Sequence, residues 1–261
     1  MPNADSAIRT VNRLCDILNA FNEATPALNL AELSRRVGLS KSTVYRLASA
    51  LENQGLLLRD PQGLYHLGYQ LIRWGSLAQS GLDLRNLALP ELRALAAETH
   101  ETAILSVRSG GAALWLEMIE SPQPVRLALH VGQRTMLHAG ASSKVLWAFL
   151  PPAEISILLE QIELTPLQPN TITDRVALQA ELAAIRTQGY ATSFEETDPG
   201  AMGVAAPVFD HTGRLVAGIG IAAPLTRVTV EQVPSIARQV MAAGRRLSQQ
   251  LGAPATLPFY S

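Results

Sequence analysis

Residues 29–54, NLAELSRRVGLSKSTVYRLASALENQ, constrain this chain more than any other stretch. Asn29 is followed three residues later by Glu32, a pairing in which each side chain satisfies a free backbone N–H at a helix start. Leu30, Leu33 and Val37 recur at helical spacing, and Gly38 stops the turn. Ser40 opens a second helix, with Val44, Leu47, Ala48 and Leu51 on one apolar stripe and Gly55 closing it. Its other face is Lys41, Ser42, Thr43, Tyr45, Arg46 and Ser49. Two short helices across a glycine turn form a helix-turn-helix, the second free to enter a major groove. Such a pair is also ordinary packing. Two features tilt the reading to DNA: hydrogen-bonding and cationic groups near the start of the second helix, and a wing-forming sequence after it.

Before this pair, Ser6 is a candidate cap for a helix carrying Ile8, Val11, Leu14, Leu18 and Phe21, the third helix of the unit. After it, residues 56–59 and 64–67 flank Asp60-Pro61-Gln62-Gly63 and read as a small hairpin, the wing. Residues 69–81 place Leu71, Ile72, Trp74 and Leu77 at helical intervals, a linking helix whose apolar side chains suit a dimer contact or one of its own domains. Gly81 and Asp83 mark the boundary.

From Leu84 the pattern changes. Pro90 fits the first turn of a helix to about His100. Residues 102–108 and 112–121 flank Ser109-Gly110-Gly111 as a hairpin, and 125–130 alternate as a third strand. Helices follow at 138–149, at 153–162 and from a Thr173 or Asp174 cap to Gly189. Strands are read at 190–196, 202–209 and 215–222, then a last helix entered through Thr229 and Gln232. Adjacent strands flanked by helices make the second domain α+β with an antiparallel sheet. The domains are thus 1–68, a linker 69–82, 83–252 and a loose tail 253–261.

With 261 residues, 48% of them hydrophobic, two packed domains are affordable in length. A net charge of −1 argues against a sequence-blind nucleic-acid coat and leaves a specific reader open. Lysine occurs only at Lys41 and Lys144, and the single cysteine, Cys15, excludes a disulfide framework or thiolate zinc site within one chain. No signal peptide and no membrane-length apolar run is read, so the expected location is cytoplasmic.

Three places can carry chemistry. The first is the recognition helix, with Ser40, Ser42, Thr43, Tyr45 and Arg46 set against DNA and Lys41 and Arg35 or Arg36 on phosphates; Tyr45 fits packing against the wing equally well. The second is LHAGASSKVL, residues 137–146, where small residues ahead of a helix leave its first N–H groups open to an anion or carboxylate. Close helix–sheet packing explains the same residues, and Lys144 pairs with Glu195 or Glu196. The third is the sheet region thinned by Gly200, Gly203, Gly218 and Gly220, where a ligand or another backbone approaches closely.

Enzyme signals are poor. Gly218-Ile219-Gly220 leads to Pro224 and not into a helix, Ser142 and Ser143 lack a nucleophile elbow, and the five histidines are scattered. Adjacent strand positions send Glu195 and Glu196 to opposite faces. No cofactor and no metal site is expected.

In order and spacing, the AELSRRVGLSKSTVYRLASALENQGLL segment, the wing ending in YHLG, VGQRTMLHAGASSKVLWAFLP, and the block NTITDRVALQAELAAIRTQGYATSFEETDPGAMGVAAPVFDHTGRLVAGIGIAAP resemble the IclR family of bacterial transcription regulators. The resemblance implies a winged helix-turn-helix joined by a helix to a GAF-like effector domain. It implies dimers, commonly paired into tetramers, on double-stranded operator DNA, and a small organic acid as effector. Carried onto this sequence, the effector positions are Leu127, Ala141, Ser142, Ser193, Ala201, Gly203 and Gly220. Members that sense very small acids present an acidic side chain, a thiol and a hydroxyl where this chain has Ser193, Gly203 and Gly220. Ser143 and Met136 replace a glycine and a proline. These departures point to a roomier, less polar cavity and an aromatic or other apolar carboxylate. Two alternatives stand beside it: a hydrolase or isomerase in the second domain, and a second domain that only oligomerises, its pocket filled by Met202, Leu127 or Trp115.

Overall fold

The computed structural model describes residues 4–22, 25–80 and 83–255, and the chain divides into two compact units, Met1–Leu82 and Asp83–Ser261. Gly81 and the tail from 256 onward lie outside the described residues, as does the Ser6 side chain.

The first unit opens with α1 (Ala4–Asn19), already under way before Ser6, so Ser6 is not its cap. A two-residue strand, β1 (Ala27–Leu28), leads to α2 (Leu30–Val37). Asn29 Oδ1 accepts the Glu32 N–H at 3.0 Å while the Glu32 carboxylate accepts the Asn29 N–H at 2.9 Å, closing the box at the helix start. Gly38 ends the helix at φ 66°, a left-handed turn that favours glycine. From the Ser40 cap, α3 (Lys41–Asn53) buries Val44, Leu47, Ala48 and Leu51 against Ile17 and Phe21 of the first helix and its following turn, and Leu33 of α2. The wing is β2 (Leu57–Arg59) and β3 (Tyr65–Leu67), and β1 pairs with the free side of β3. Two residues are too few to show alternation, which is why β1 escapes a reading of sequence. In the wing turn Asp60 accepts the Leu64 N–H at 2.8 Å and meets His66 Nε2 at 2.9 Å. The hydrogen bond to His66 holds the Asp60 carboxyl below its ordinary value. The unit ends in α4 (Gln70–Ser80), where Ile72, Trp74 and Leu77, with Tyr69 just before it, are each at least 50% exposed in the single chain.

The second unit begins with α5 (Leu84–Thr99), capped by Asp83, whose Oδ1 accepts the Arg85 N–H at 3.0 Å. Pro90 therefore sits inside this helix and not in its first turn, because the cap upstream sets the start. Then come β4 (Thr102–Ser109), β5 (Ala112–Ile119), β6 (Arg134–Met136), α6 (Ala141–Ala148), α7 (Pro152–Gln161) and α8 (Arg175–Gln188). After them run β7 (Ala191–Phe194), β8 (Ala201–Phe209), β9 (Leu215–Pro224) and α9 (Val233–Gln250). Six strands make one antiparallel sheet in the order β6-β5-β4-β9-β8-β7. One face packs on α5 and α9 through residues such as Leu105, Val204, Ile219 and Val240. The other packs on α6 and α8 through Ala113, Ala205, Leu146 and Leu182.

Two strand expectations also fail in this unit. Residues 125–130 form no strand: Leu127 and Leu129 are half-buried between exposed Arg126, Ala128 and His130, an alternation with no partner strand to pair with. The third strand of that edge is β6 instead. The strand read as 190–196 stops at Phe194, because Glu195 turns left-handed at φ 51°.

Candidate functional site

In the first unit α3 has one buried stripe and one open face. Lys41, Ser42, Tyr45 and Arg46 are exposed and Thr43 is half-buried. Tyr45 is 51% exposed and lies within electrostatic reach of Tyr65 in the wing, so it is open to solvent on one side and close to the wing on the other. Ser40 Oγ accepts the Thr43 N–H at 3.4 Å and lies 3.1 Å from Ser42 Oγ and 2.9 Å from Thr43 Oγ1, a hydroxyl cluster at the positive end of the helix. Arg35 is exposed on α2. Arg36 differs: its Nη1 donates to the Ala20 carbonyl at 2.7 Å and to Thr25 Oγ1 at 2.9 Å. It ties the turn after α1 to α2, which leaves Arg35 as the freer of the two for a phosphate.

In the second unit a cavity lies between the sheet and the amino end of α6. Gly140, at φ 89°, precedes α6, and no side chain caps the helix. The N–H groups of Ala141 and Ser142 have no intrahelical acceptor available to them, and both residues line the cavity. Leu127, Ser193, Ala201 and Gly203 line it too, so six of the seven effector positions named from sequence converge here. Gly220 does not. A Cβ on Gly220 would stand 2.3 Å from the Val204 carbonyl oxygen, so this glycine admits the backbone of β8 and no ligand. Gly218 likewise admits α6, whose Val145 Cγ1 would meet its Cβ at 2.8 Å, and Gly200 serves a turn at φ 71°.

The cavity is narrow, with a volume of about 50 Å³. The expected roominess is absent, for a physical reason. The volume given up at Gly203 is bordered by Ala141 Cβ, 3.3 Å from where a side chain would begin, and that at Gly220 is taken by β8. Small residues here drew neighbours in instead of opening space. Trp115, Leu127 and Met202 all line what is left. The lining is otherwise Ile104, Leu129, Ile221 and small or hydroxyl residues; its one titratable side chain, Asp198, is exposed.

Beneath the amino end of α6 lies the buried charge cluster of the unit. Lys144 is 1% exposed; its Nζ donates to Glu196 Oε1 at 2.6 Å and Glu181 Oε1 at 2.8 Å. Glu196 Oε2 accepts the Gly140 N–H at 2.9 Å. One carboxylate thus fixes both the lysine and the loop that starts the helix. Glu195 goes elsewhere, accepting the Gly200 N–H at 2.7 Å, so the two glutamates do different work. Glu181 was not read from sequence, although it shares the helical face of Leu178, Leu182 and Ile185, a carboxylate placed among buried positions.

The family described as "IclR helix-turn-helix domain" matches residues 10–61, and that described as "Bacterial transcriptional regulator IclR C-terminal" matches residues 77–249. The chain belongs to the IclR family of bacterial transcriptional regulators. It is 36% identical over 244 residues to the HTH-type transcriptional regulator KipR of Bacillus subtilis, covering 94% of this chain and 97% of that one. A solved IclR transcriptional regulator from Silicibacter superposes with TM-score 0.86 at 28% identity, covering 97% and 99% of the two chains. An IclR homolog from Microbacterium hydrocarbonoxydans, solved with 4-hydroxybenzoate, gives TM-score 0.57 at 27% identity over 92% and 99%. Family relatives are helix-turn-helix regulators of transcription. Among the described residues, no helix of this IclR chain is long and apolar enough to cross a membrane.

Lys144→Met leaves Glu196 buried without its cation. We expect a loss of about 3–5 kcal/mol in a urea melt, partly restored by adding Glu196→Gln. A loss below about 1 kcal/mol, the range of exposed pairs, would remove the cluster from its structural role.

Proposed function

We propose that this protein is a ligand-responsive regulator that reads operator DNA through α3 and senses an organic acid in the α6 cavity. The observation that carries the effector half is the uncapped amino end of α6 opening on a mostly apolar cavity. Free N–H groups and the helix dipole offer a carboxylate a site without a cationic side chain. The apolar lining suits an aromatic or other apolar body better than a two- or three-carbon acid. The relative solved with 4-hydroxybenzoate supports that chemistry. A ring needs more space than the cavity holds as it stands, since a cavity that takes benzene measures about 150 Å³. Binding therefore displaces part of the wall. A lining with one exposed carboxylate and no converging acid–base pair favours a sensor over a hydrolase or isomerase. The exposed apolar residues of α4 suit self-association, the route by which two DNA-reading units share a roughly palindromic operator.

On the DNA side Arg35, Ser40, Lys41, Ser42, Thr43, Tyr45 and Arg46 form the contact set. Against a duplex selected from random sequence by the protein itself, Arg46→Ala should lower affinity about tenfold or more and relax one base position. Arg36→Ala should instead lower the stability of the first unit by about 1 kcal/mol. Unchanged affinity of Arg46→Ala at fixed salt would take Arg46 out of the interface.

The effector assignment is tested by repeating that gel shift, with a thermal melt, across a panel of acids. Benzoate-class acids should stabilise the protein and change operator affinity. Stabilisation by glyoxylate or pyruvate, with none by aromatic acids, would overturn the assignment.

A further inference from the structure

The wall that must give way is visible in the structure. Residues 122–133 run from the end of β5 to β6 without regular structure and carry Leu127 and Leu129 over the cavity. The two ends are fixed. Ser121 donates its N–H to Thr102 Oγ1 at 3.1 Å and its hydroxyl to the His100 carbonyl at 2.7 Å. At the far end Gly132 donates to the Trp115 carbonyl at 2.9 Å, and Trp115 to the Gln133 carbonyl at 3.0 Å.

Between those ends the Ser121 hydroxyl accepts the Gln123 N–H at 3.2 Å, and two further side-chain hydrogen bonds reach the segment among the described residues. One is the exposed Arg126–Glu120 pair, 3.1 Å. The other is Arg227, on the turn that leaves β9. Its Nη1 donates to the Val125 carbonyl. The rest of its guanidinium is held as a fork, Nε to Glu101 Oε1 at 2.7 Å and Nη2 to Glu101 Oε2 at 2.6 Å. Glu101 is 3% exposed, so the fork has a buried, immobile base. The planar guanidinium can serve carboxylate and carbonyl at once, which a lysine ammonium does with poorer geometry.

We propose that Arg227, clamped by Glu101, is the latch of the 122–133 strap, and that releasing it opens the α6 cavity. Arg227 is a positioning residue: it lines no part of the cavity and acts through Val125 on Leu127 and Leu129. The cavity's small volume in the latched form follows from this arrangement, and so does the need for wall movement when a ring binds. The latch rests on the effector reading only for what passes beneath the strap; opening itself is measurable without a ligand.

The test uses the full chain with Cys15→Ser and a reporter thiol at Ser193→Cys, a 5% exposed cavity wall position. Iodoacetamide labelling then reports how often the cavity opens. A second reporter, Ala237→Cys, sits 2% exposed on the α5/α9 side of the sheet and reports global unfolding. Arg227→Gln combined with Glu101→Gln removes the latch and leaves no unpaired buried charge. Labelling of Ser193→Cys should accelerate about tenfold or more in this background, as expected for loss of a charge-assisted hydrogen bond, with Ala237→Cys unchanged. Arg227→Lys, which keeps the charge, should lie between. Equal acceleration at both reporters, or none at Ser193→Cys, would overturn the latch. An unlatched strap with no acid binding at all would instead count against the effector reading.

Discussion

The second unit depends on a lysine that has been taken out of water. A buried ammonium is tolerated only when carboxylates replace its hydration, and Lys144 has two of them. Those carboxylates come from α8 and from the turn after β7, so satisfying one charge fixes three elements against one another. Glu196 spends its second oxygen on the Gly140 N–H, which fixes where α6 starts. The next two N–H groups are left over. The polar character of the cavity thus follows from how a buried charge is neutralised nearby, with no charged group needed in the cavity itself.

That arrangement also explains why the cavity is small. Gly203 and Gly218 let α6 lie close to the sheet, which Lys144 needs in order to reach Glu196. Close approach uses up the volume the missing side chains release. What remains adjustable is the opposite wall, the strap of 122–133, which has no strand pairing and is held between its ends by side chains. The cavity thus has a helix end fixed by a buried ion pair on one side and an apolar segment without strand pairing on the other.

Much of this was legible in the sequence, and the failures share a cause. Helix boundaries with chemical signatures are readable: the Asn29–Glu32 box, the Ser40 cap, the cap at Thr173 or Asp174 that falls on Asp174, and the Thr229–Gln232 box are local interactions between near neighbours. The apolar stripe of α3 defined its open face for the same reason. Residues 125–130 misled because alternation records which side chains face inward, and a strap over a cavity alternates like a strand. The glycines misled because a missing Cβ says that something approaches without saying what. The start of α5 differs from the expectation because the Asp83 cap, and not Pro90, sets it. Glu181 and the Arg227–Glu101 fork were out of reach, since both join residues distant along the chain.

The two units meet functional demands of different kinds. The first presents fixed groups to a fixed duplex, so its residues are held by caps and a compact core. On the proposed reading the second exists in two states that bind the acid unequally, because coupling between an effector and an operator is a difference in affinity and runs both ways. Both lysines of the chain stand where one of these demands is met: Lys41 on the open face of α3, Lys144 under the cavity. The claim most open to direct measurement is that the amino end of α6 holds the carboxylate. It is tested by following backbone amide signals in a proton–nitrogen correlation spectrum while titrating the acid that stabilises the protein. The Ala141 and Ser142 signals should move furthest and saturate together with binding. Saturable binding that leaves both signals in place would contradict the assignment.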